Sequence, residues 1–188
     1  MQSIIATYIA DLNKAMTSLN ILEIKSLAEA LISTNENNGT VFIAGNGGSA
    51  STASHFATDI GIGSQMRSNP VRVMSLCDNS AVMTAISNDV GYCAVFEQQL
   101  RLLAQPGDLL IVISASGNSQ NLVNAVLAGE DLGITTFSMT GFDGGKLKEM
   151  TQGANVHVES NLGAYGLVED AHLAICHVVT ECVRAQRG

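Results

Sequence analysis

The sequence predicts an α/β protein, a three-layer αβα sandwich in which helices cover both faces of a parallel β-sheet. Short runs rich in β-forming residues lie at 40–44, 71–76, 109–114, 134–139 and 155–158. Most of these runs are continuously apolar, which is typical of strands covered on both faces. Segments with helical periodicity lie between them, at 49–60, 79–87, 94–104, 119–132 and 168–184. Because strand and helix alternate, the pattern predicts βαβ units and hence a parallel sheet.

Residues 1–37 precede the first predicted strand and have the pattern of two amphipathic helices. Ile4, Ile5 and Ile9 recur at helical spacing near the start of this segment. Helices in this position can pack on the sheet of their own domain or on a partner subunit, and both alternatives stay open. Since the chain has no long linker and no internal repeat, we predict a single domain over 1–188.

The composition excludes several classes of partner. The net charge is −8 and no cluster of Lys and Arg occurs, so nucleic acid would be repelled. No apolar run approaches the roughly 20 residues of a membrane-spanning helix, and the N-terminus lacks the pattern of a secretory signal. The four cysteines, Cys77, Cys93, Cys176 and Cys182, form no CxxC pair, which favours reduced and mostly buried thiols. We therefore expect a cytoplasmic protein.

The loop GNGGSAS at 45–51 follows the first predicted strand directly and precedes a predicted helix. Its glycines allow a sharp turn and a close approach to a ligand, and the helix N-terminus offers N–H groups to an anion. The loop matches neither the GxxxxGK[ST] nor the GxGxxG pattern. The alternative to ligand binding is a tight turn with Ser49 as the helix N-cap.

A second loop, ISASGNS at 113–119, also joins a predicted buried strand to a helix. Ser114, Ser116 and Ser119 supply three hydroxyl donors beside a helix N-terminus, a set that suits a phosphate dianion without a lysine. Helix capping would require only one of these serines. Because ligands bind at the carboxyl ends of strands in open α/β sheets, two such loops favour a phosphorylated small molecule.

Histidines lie in two of the predicted helices. His55 and Asp59 are four residues apart and therefore share one helix face. His177 is a polar residue within an apolar run, and its charge partner on the same helix is either Asp170 or Glu181. Taken singly, a histidine on an apolar face is more often a structural core residue than a ligand, and a His–Asp pair at this spacing is usually a local contact.

Four segments together resemble the sugar-isomerase (SIS) domain family: AGNGGSASTASHFATD at 44–59, NDVGY at 88–92, ISASGNS at 113–119 and TGFDGGKL at 140–147. Within that family the chain is most similar to the phosphoheptose isomerases, which convert sedoheptulose 7-phosphate to a heptose 7-phosphate. The resemblance covers almost the whole chain. It implies a flavodoxin-like sandwich with a five-stranded parallel sheet, in agreement with the number of predicted strands.

The resemblance also implies which residues bind the substrate. The serines of the second loop bind the phosphate, and residues of the first loop contact the sugar. The substrate-binding residues implied in this way are Asn46, Gly47, Ser49, Asp89, Ser114, Ser116 and Ser119.

Phosphoheptose isomerases carry a metal, commonly zinc, and the matching ligands here are His55, Asp59, Glu169 and His177. Asp59 replaces a Glu and Glu169 replaces a Gln, so iron or manganese is also compatible with the site. Glu169 and His177 lie eight residues apart, about 12 Å along a straight helix. Both therefore reach one metal only by leaning toward each other or by coming from different subunits. The family's sites form between subunits, which implies a homotetramer.

The resemblance implies an aldose–ketose isomerase that works through an enediol, with Asp59 as base, His177 as its partner and a metal polarising the carbonyl. The first hypothesis is an enzyme of heptose biosynthesis that makes D-glycero-D-manno-heptose 7-phosphate. Gly63 stands where relatives have an Arg, and together with the altered ligands it motivates a second hypothesis, an isomerase of another phosphosugar. The third hypothesis is a non-catalytic SIS protein that binds a replication initiator. Family members with that role typically lack the second histidine, whereas this chain retains it as His177.

Overall fold

The computed structural model describes residues 1–64, 70–151 and 153–186, with Gly63 and Ser64 described as backbone only. The strands are β1 (Thr40–Gly45), β2 (Arg72–Ser75), β3 (Leu109–Ser114), β4 (Thr135–Phe142) and β5 (Asn155–Glu159). The helices are α1 (Gln2–Thr17), α2 (Ile21–Glu36), α3 (Gly48–Ser64), α4 (Ser80–Asp89), α5 (Val95–Leu103), α6 (Gln120–Asp131), α7 (Gly145–Met150) and α8 (Tyr165–Ala185). A short 3₁₀ turn, Tyr92–Ala94, precedes α5.

All five strands form one parallel sheet in the order β2-β1-β3-β4-β5. The chain leaves β1 toward β2 on one side and continues from β3 to β5 on the other. The strand order therefore reverses between β1 and β3, which is where ligands bind in sheets of this kind. The predicted αβα sandwich with a five-stranded parallel sheet is confirmed.

The register of the strands brings the two predicted ligand loops together. Gly45, the last residue of β1, lies level with Ile113 of β3, and Ser114 lies level with Thr140 of β4. Because parallel strands end at the same edge, the loops after β1 and β3 both leave the sheet at its carboxyl edge, side by side.

Each face of the sheet carries its own apolar core. Ile43 and Ile111 pack into one cluster with residues of α2, α3 and α8, whereas Phe42 and Leu110 pack into the other with α5 and α6. Residues that alternate along one strand thus enter opposite cores, which explains why β1 and β3 are apolar without interruption.

Both N-terminal helices contact their own domain, but to different extents. Leu27 and Leu31 of α2 are fully buried in the core, so α2 packs on its own domain. In contrast, all residues of the first half of α1 are exposed, including Ile4 and Ile9. None of the described helices combines the length and the apolar character required to cross a membrane.

Three local features differ from the predictions. Helix α7 was not predicted, because its six residues are too short for a periodic pattern. Strand β4 continues to Phe142, three residues beyond the predicted end. The prediction of mostly buried thiols is wrong: all four cysteines are free, but only Cys176 is buried, Cys77 is partly buried, and Cys93 and Cys182 are exposed.

His172 of α8 is fully buried against the sheet. Its Nε2 lies 3.2 Å from the main-chain oxygen of Thr140, and its Nδ1 has no hydrogen-bond partner among the described residues. Burial lowers the pKa of His172 from 6.5 to about 4, because the charged imidazolium would lose its hydration. His172 therefore occupies the core as a neutral ring that donates one hydrogen bond to β4.

This burial predicts acid destabilisation of the fold. Between pH 6.5 and about 4 the unfolded chain binds a proton at His172 while the folded chain does not. The free energy of unfolding therefore decreases as the pH is lowered through that window. The loss reaches about 3 kcal/mol at its lower end. The substitution His172→Gln keeps a neutral donor and removes this proton. Urea unfolding from pH 7.5 to 4 should show the variant gaining stability relative to the parent as pH falls, and parallel curves would contradict the prediction.

Candidate active site

A small pocket of 170 Å³ opens at the carboxyl edge of the sheet, between the loops after β1 and β3. The predicted substrate residues that line it are Asn46, Ser49, Ser114, Ser116 and Ser119, together with Tyr165 and Glu169 of α8. Neither Gly47 nor Asp89 lines this pocket. A larger cleft of 1120 Å³ runs along the edge strand β2, but no sequence-predicted site residue lines it. We therefore place the candidate site at the smaller pocket, where the predicted groups converge.

The loop ISASGNS at 113–119, here called the serine loop, contributes Ser114, Ser116 and Ser119 to the lining of the pocket. Ser119 is the N-cap residue of α6, yet its side chain makes no capping hydrogen bond. The capping alternative for this residue therefore has no support, and its hydroxyl is available to a ligand. Gly117 has a φ of 63°, and a Cβ there would overlap the carbonyl oxygen of Gly144. Only glycine fits this turn.

The segment TGFDGGKL buttresses the serine loop. The main-chain N–H of Leu147 donates to Gly117 O at 3.0 Å, and that of Lys146 donates to Asn118 Oδ1 at 3.2 Å. These bonds join the start of α7 to the loop between β3 and α6. The motif thus supports the pocket from outside and does not line it.

Two residues that the sequence reasoning missed fix the amide of Asn46. Asn121 of α6 and Asn46 form a reciprocal amide pair with both N···O distances at 2.9 Å. The Tyr92 hydroxyl also donates to Asn46 Oδ1, at 2.7 Å. Tyr92 belongs to the segment NDVGY and Asn121 follows the serine loop closely, so only their proximity to these motifs in the sequence pointed to them.

A second group of site residues lies further along α3 and α8. His55 Nε2 is 3.2 Å from Asp59 Oδ2, and His177 Nε2 is 3.6 Å from the same oxygen. The two imidazole Nε2 atoms are 3.0 Å apart. Two imidazole nitrogens and one carboxylate oxygen within 4.8 Å of one another match the ligand types of a zinc-like divalent cation. We refer to His55, Asp59 and His177 as the His-Asp-His cluster.

Glu169 does not join the His-Asp-His cluster within the described chain. Its carboxylate packs against Gly48 at the start of α3, so closely that a Cβ on Gly48 would overlap it. Glu169 thus lines the pocket between the two loops together with Ser49. It lies about two turns of α8 before His177. Its assignment as a fourth metal ligand stays a prediction from the resemblance.

The remaining predicted substrate residues, Gly47 and Asp89, do not line the pocket. Gly47 has a φ of 56°, and a Cβ there would meet no atom within 4 Å. Asp89 ends α4, where its Oδ1 accepts a hydrogen bond from Asn88. Gly63 lies in the last turn of α3, and its surroundings fall outside the described residues. Substrate roles for Gly47 and Asp89 stay predictions.

Comparison with known proteins agrees with this geometry. A family profile, that of the SIS domain, matches residues 6–141, most of the chain. The chain belongs to the SIS domain family. The resemblance read from its motifs is confirmed, whereas the single-domain assignment over 1–188 stays a prediction.

This SIS domain chain is similar to phosphoheptose isomerases in sequence and in structure. A phosphoheptose isomerase of Helicobacter pylori strain P12 is 36% identical over 172 residues, covering 92% of this chain and 88% of the relative. A probable phosphoheptose isomerase of Thermoplasma volcanium is 32% identical over 179 residues, covering 95% and 90%. Among solved structures, a phosphoheptose isomerase of Neisseria gonorrhoeae superposes with a TM-score of 0.88 at 29% identity, covering 98% of each chain.

Because the Ser119 hydroxyl makes no capping hydrogen bond, we can predict the effect of removing it. Ser119→Ala should weaken the binding of inorganic phosphate about tenfold, since one hydrogen bond to an anion is lost. The free energy of unfolding without phosphate should stay unchanged, because the hydroxyl caps no helix. Thermal shift titrations with phosphate measure both quantities. A loss of about 1 kcal/mol in stability with unchanged phosphate affinity would instead indicate a capping role.

Proposed function

We propose that this chain is a metal-assisted aldose–ketose isomerase that interconverts sedoheptulose 7-phosphate and D-glycero-D-manno-heptose 7-phosphate. One observation carries the proposal: the same two helices, α3 and α8, contribute residues both to the pocket between the two loops and to the His-Asp-His cluster. Ser49 and Glu169 lie at the pocket, and further along the same two helices lie His55, Asp59 and His177. From Ser49 to His55 the helix rises about 9 Å. An extended sugar phosphate bridges such a separation, with its phosphate at one end and its carbonyl at the other.

The phosphate end requires no basic side chain. The N-termini of α3 and α6 both face the pocket, and each offers main-chain N–H groups and a partial positive charge. The hydroxyls of Ser49, Ser114 and Ser119 add donors that reorient at little cost. Together these groups hold the phosphate and thereby fix which carbons of the sugar reach the cluster.

At the cluster, Asp59 and His177 carry the proton transfer. Asp59 Oδ2 faces both histidine rings, which leaves Oδ1 to accept the proton from the carbon next to the carbonyl and to return it to the neighbouring carbon. His177, on the other side of the cluster, exchanges protons with the sugar oxygens as the enediol forms and collapses.

The ligand set of the cluster fits a divalent metal, which supports the prediction of zinc. His55, Asp59 and His177 would hold it, and the ion would supply Lewis-acid polarisation of the carbonyl. With one carboxylate in the cluster and two neutral imidazoles, a net charge of +1 remains. Glu169 at the other end of the site does not reduce this charge, so the site keeps its attraction for a developing enediolate.

Exposed apolar side chains support the prediction of a homotetramer. Ile4, Ile5 and Ile9 on α1 and Ile21 and Leu22 on α2 are more than half exposed. Exposed apolar residues at helical spacing, as on α1, are typical of a helix face that packs on a partner. The homotetramer and the cytoplasmic location both stay predictions.

Turnover of sedoheptulose 7-phosphate tests the proposed function directly. NMR of the reaction should show an aldoheptose 7-phosphate that stops forming when a chelator is added and forms again after a divalent metal is returned. A panel of other ketose phosphates in the same assay separates this substrate from a hexose or pentose phosphate. Absence of turnover with every phosphosugar by metal-loaded protein would contradict the assignment as an isomerase.

Removal of the base should abolish turnover and leave the fold intact. Asp59→Asn keeps the shape of the side chain but cannot accept the proton, so kcat should fall by about 10²–10⁴-fold. Asp131→Asn is the matched control, because Asp131 forms an exposed ion pair with Arg101 away from the site. The control should retain full activity. Full activity of Asp59→Asn at an unchanged melting temperature would exclude Asp59 as the base.

Zinc affinity separates a member of the His-Asp-His cluster from Glu169. His177→Ala should weaken binding of Zn²⁺ on the order of a hundredfold or more, because it removes a direct ligand. Glu169→Ala should bind Zn²⁺ as the parent does, since the Glu169 carboxylate lies at Gly48 and outside the cluster. Titration of the metal-free proteins with Zn²⁺ measures both affinities. A large loss in Glu169→Ala would establish Glu169 as a ligand, as the resemblance implies.

A further inference from the structure

The side chain of Asn46 makes three hydrogen bonds, two with Asn121 and one with Tyr92. Asn121 donates to Asn46 Oδ1 and accepts from Asn46 Nδ2, with both distances at 2.9 Å. Tyr92 donates a second hydrogen bond to Asn46 Oδ1 at 2.7 Å. Asn121 is 3% exposed, so this pairing takes place in the protein interior.

The number of hydrogen bonds decides what Asn46 can offer a ligand. An amide oxygen accepts two hydrogen bonds, and an amide nitrogen donates two. Asn121 and Tyr92 occupy both acceptor positions of Asn46 Oδ1, while Asn121 takes one of the two N–H groups. One N–H of Asn46 remains, and Asn46 lines the pocket between the two loops. Asn46 can therefore offer a ligand in the pocket one hydrogen-bond donor, the remaining N–H of its side-chain amide.

The position of Tyr92 depends on the backbone of Gly91. Gly91 has φ 123° and ψ 154°, a combination that is essentially restricted to glycine. A Cβ at Gly91 would meet no atom within 4 Å, so the requirement for glycine comes from the backbone and not from lack of space. This turn ends the NDVGY segment and directs Tyr92 toward Asn46, although Tyr92 does not line the pocket itself.

We propose that Tyr92 and Asn121 are positioning residues that orient the Asn46 amide so that it presents only an N–H to the ligand. Asn46 then recognises an acceptor oxygen, of the phosphate or of the sugar carbonyl, and not the proton of a sugar hydroxyl. The inference depends on the proposed function only in assigning Asn46 to substrate. It also gives a physical reason for the glycine and the tyrosine of NDVGY.

Three variants test the orientation of Asn46. Tyr92→Phe removes one hydrogen bond at an exposed position and should weaken phosphosugar binding about tenfold. Asn46→Asp keeps the oxygen that Tyr92 holds but replaces the N–H by an acceptor, so binding should weaken on the order of a hundredfold. Gly91→Ala should resemble Tyr92→Phe, because the strained turn no longer places the hydroxyl. Tyr8→Phe is the matched control, since Tyr8 donates to Asp170 outside the pocket and should bind as the parent does.

The readouts are the dissociation constants for sedoheptulose 7-phosphate and for inorganic phosphate, measured by calorimetry on metal-free protein, and the melting temperature. If Tyr92→Phe weakens both ligands at an unchanged melting temperature, Asn46 donates to the phosphate. If it weakens only the phosphosugar, Asn46 donates to a sugar oxygen. The double variant Gly91→Ala, Tyr92→Phe should bind no more weakly than Gly91→Ala alone, since both changes act through one hydrogen bond.

Parent-like binding of both ligands by Tyr92→Phe or by Asn46→Asp would overturn the proposal. Additive losses in the double variant would also overturn it, because Gly91 and Tyr92 would then act separately. Since these measurements require binding and not turnover, they remain informative if sedoheptulose 7-phosphate proves not to be a substrate. A parent protein that binds phosphate but turns over no phosphosugar would contradict the proposed function alone.

Discussion

The site depends on the packing of α3 against α8. These two helices are far apart in the chain but lie side by side on one face of the sheet, with Ala53, Phe56 and Ile175 among the buried side chains of that core. Gly48 makes the contact close at one end, because a larger residue would collide with Glu169. At the other end the same packing brings His177 to His55 and Asp59. A shift of one helix relative to the other would disrupt both ends together.

The donors of the pocket suit an anion although the chain has a net charge of −8. Among the described residues, those that line the pocket include no lysine or arginine, and their donors are serine hydroxyls, an asparagine amide and the N-termini of α3 and α6. Fixed dipoles need little reorganisation when the ligand arrives, and they act at short range. The negative net charge therefore opposes binding only weakly, since exposed charges beyond about 10 Å are screened by salt.

The two substitutions relative to the family's metal site have different consequences in the fold. Asp59 stays within reach of both histidines, so its shorter side chain still completes a set of three metal-type ligands. Glu169 packs at the pocket end of α8, where the rise of the helix separates it from His177 by about 12 Å. In the part of the chain that the structure describes, Glu169 is the one acidic side chain that lines the pocket.

How far the sequence determines this protein differs between its elements. Short runs rich in β-forming residues identified all five strands, and the continuous apolar runs of β1 and β3 indicated their burial on both faces. The edge strands β2 and β5 are buried only in part. The two loop motifs predicted most of the pocket residues, since loop chemistry is a local property, and the resemblance to the family predicted His55, Asp59 and His177. Helix α7 was missed, because so short an element has no period to detect. The exposure of Cys93 and Cys182 was missed as well. Apolar neighbours in the sequence do not ensure that a residue is buried in the folded structure.

The sequence by itself therefore determined the fold class, the family and the types of ligand group that the site uses. Only the tertiary structure decided which of these groups meet. Local spacing offered Asp170 or Glu181 as the partner of His177, whereas helix packing gave it Asp59. The same packing placed Glu169 beside Ser49, and the turn at Gly91 brought Tyr92 to Asn46. These contacts join residues that are 46 or more positions apart in the chain. They are set by strand order and helix packing, which no local pattern encodes.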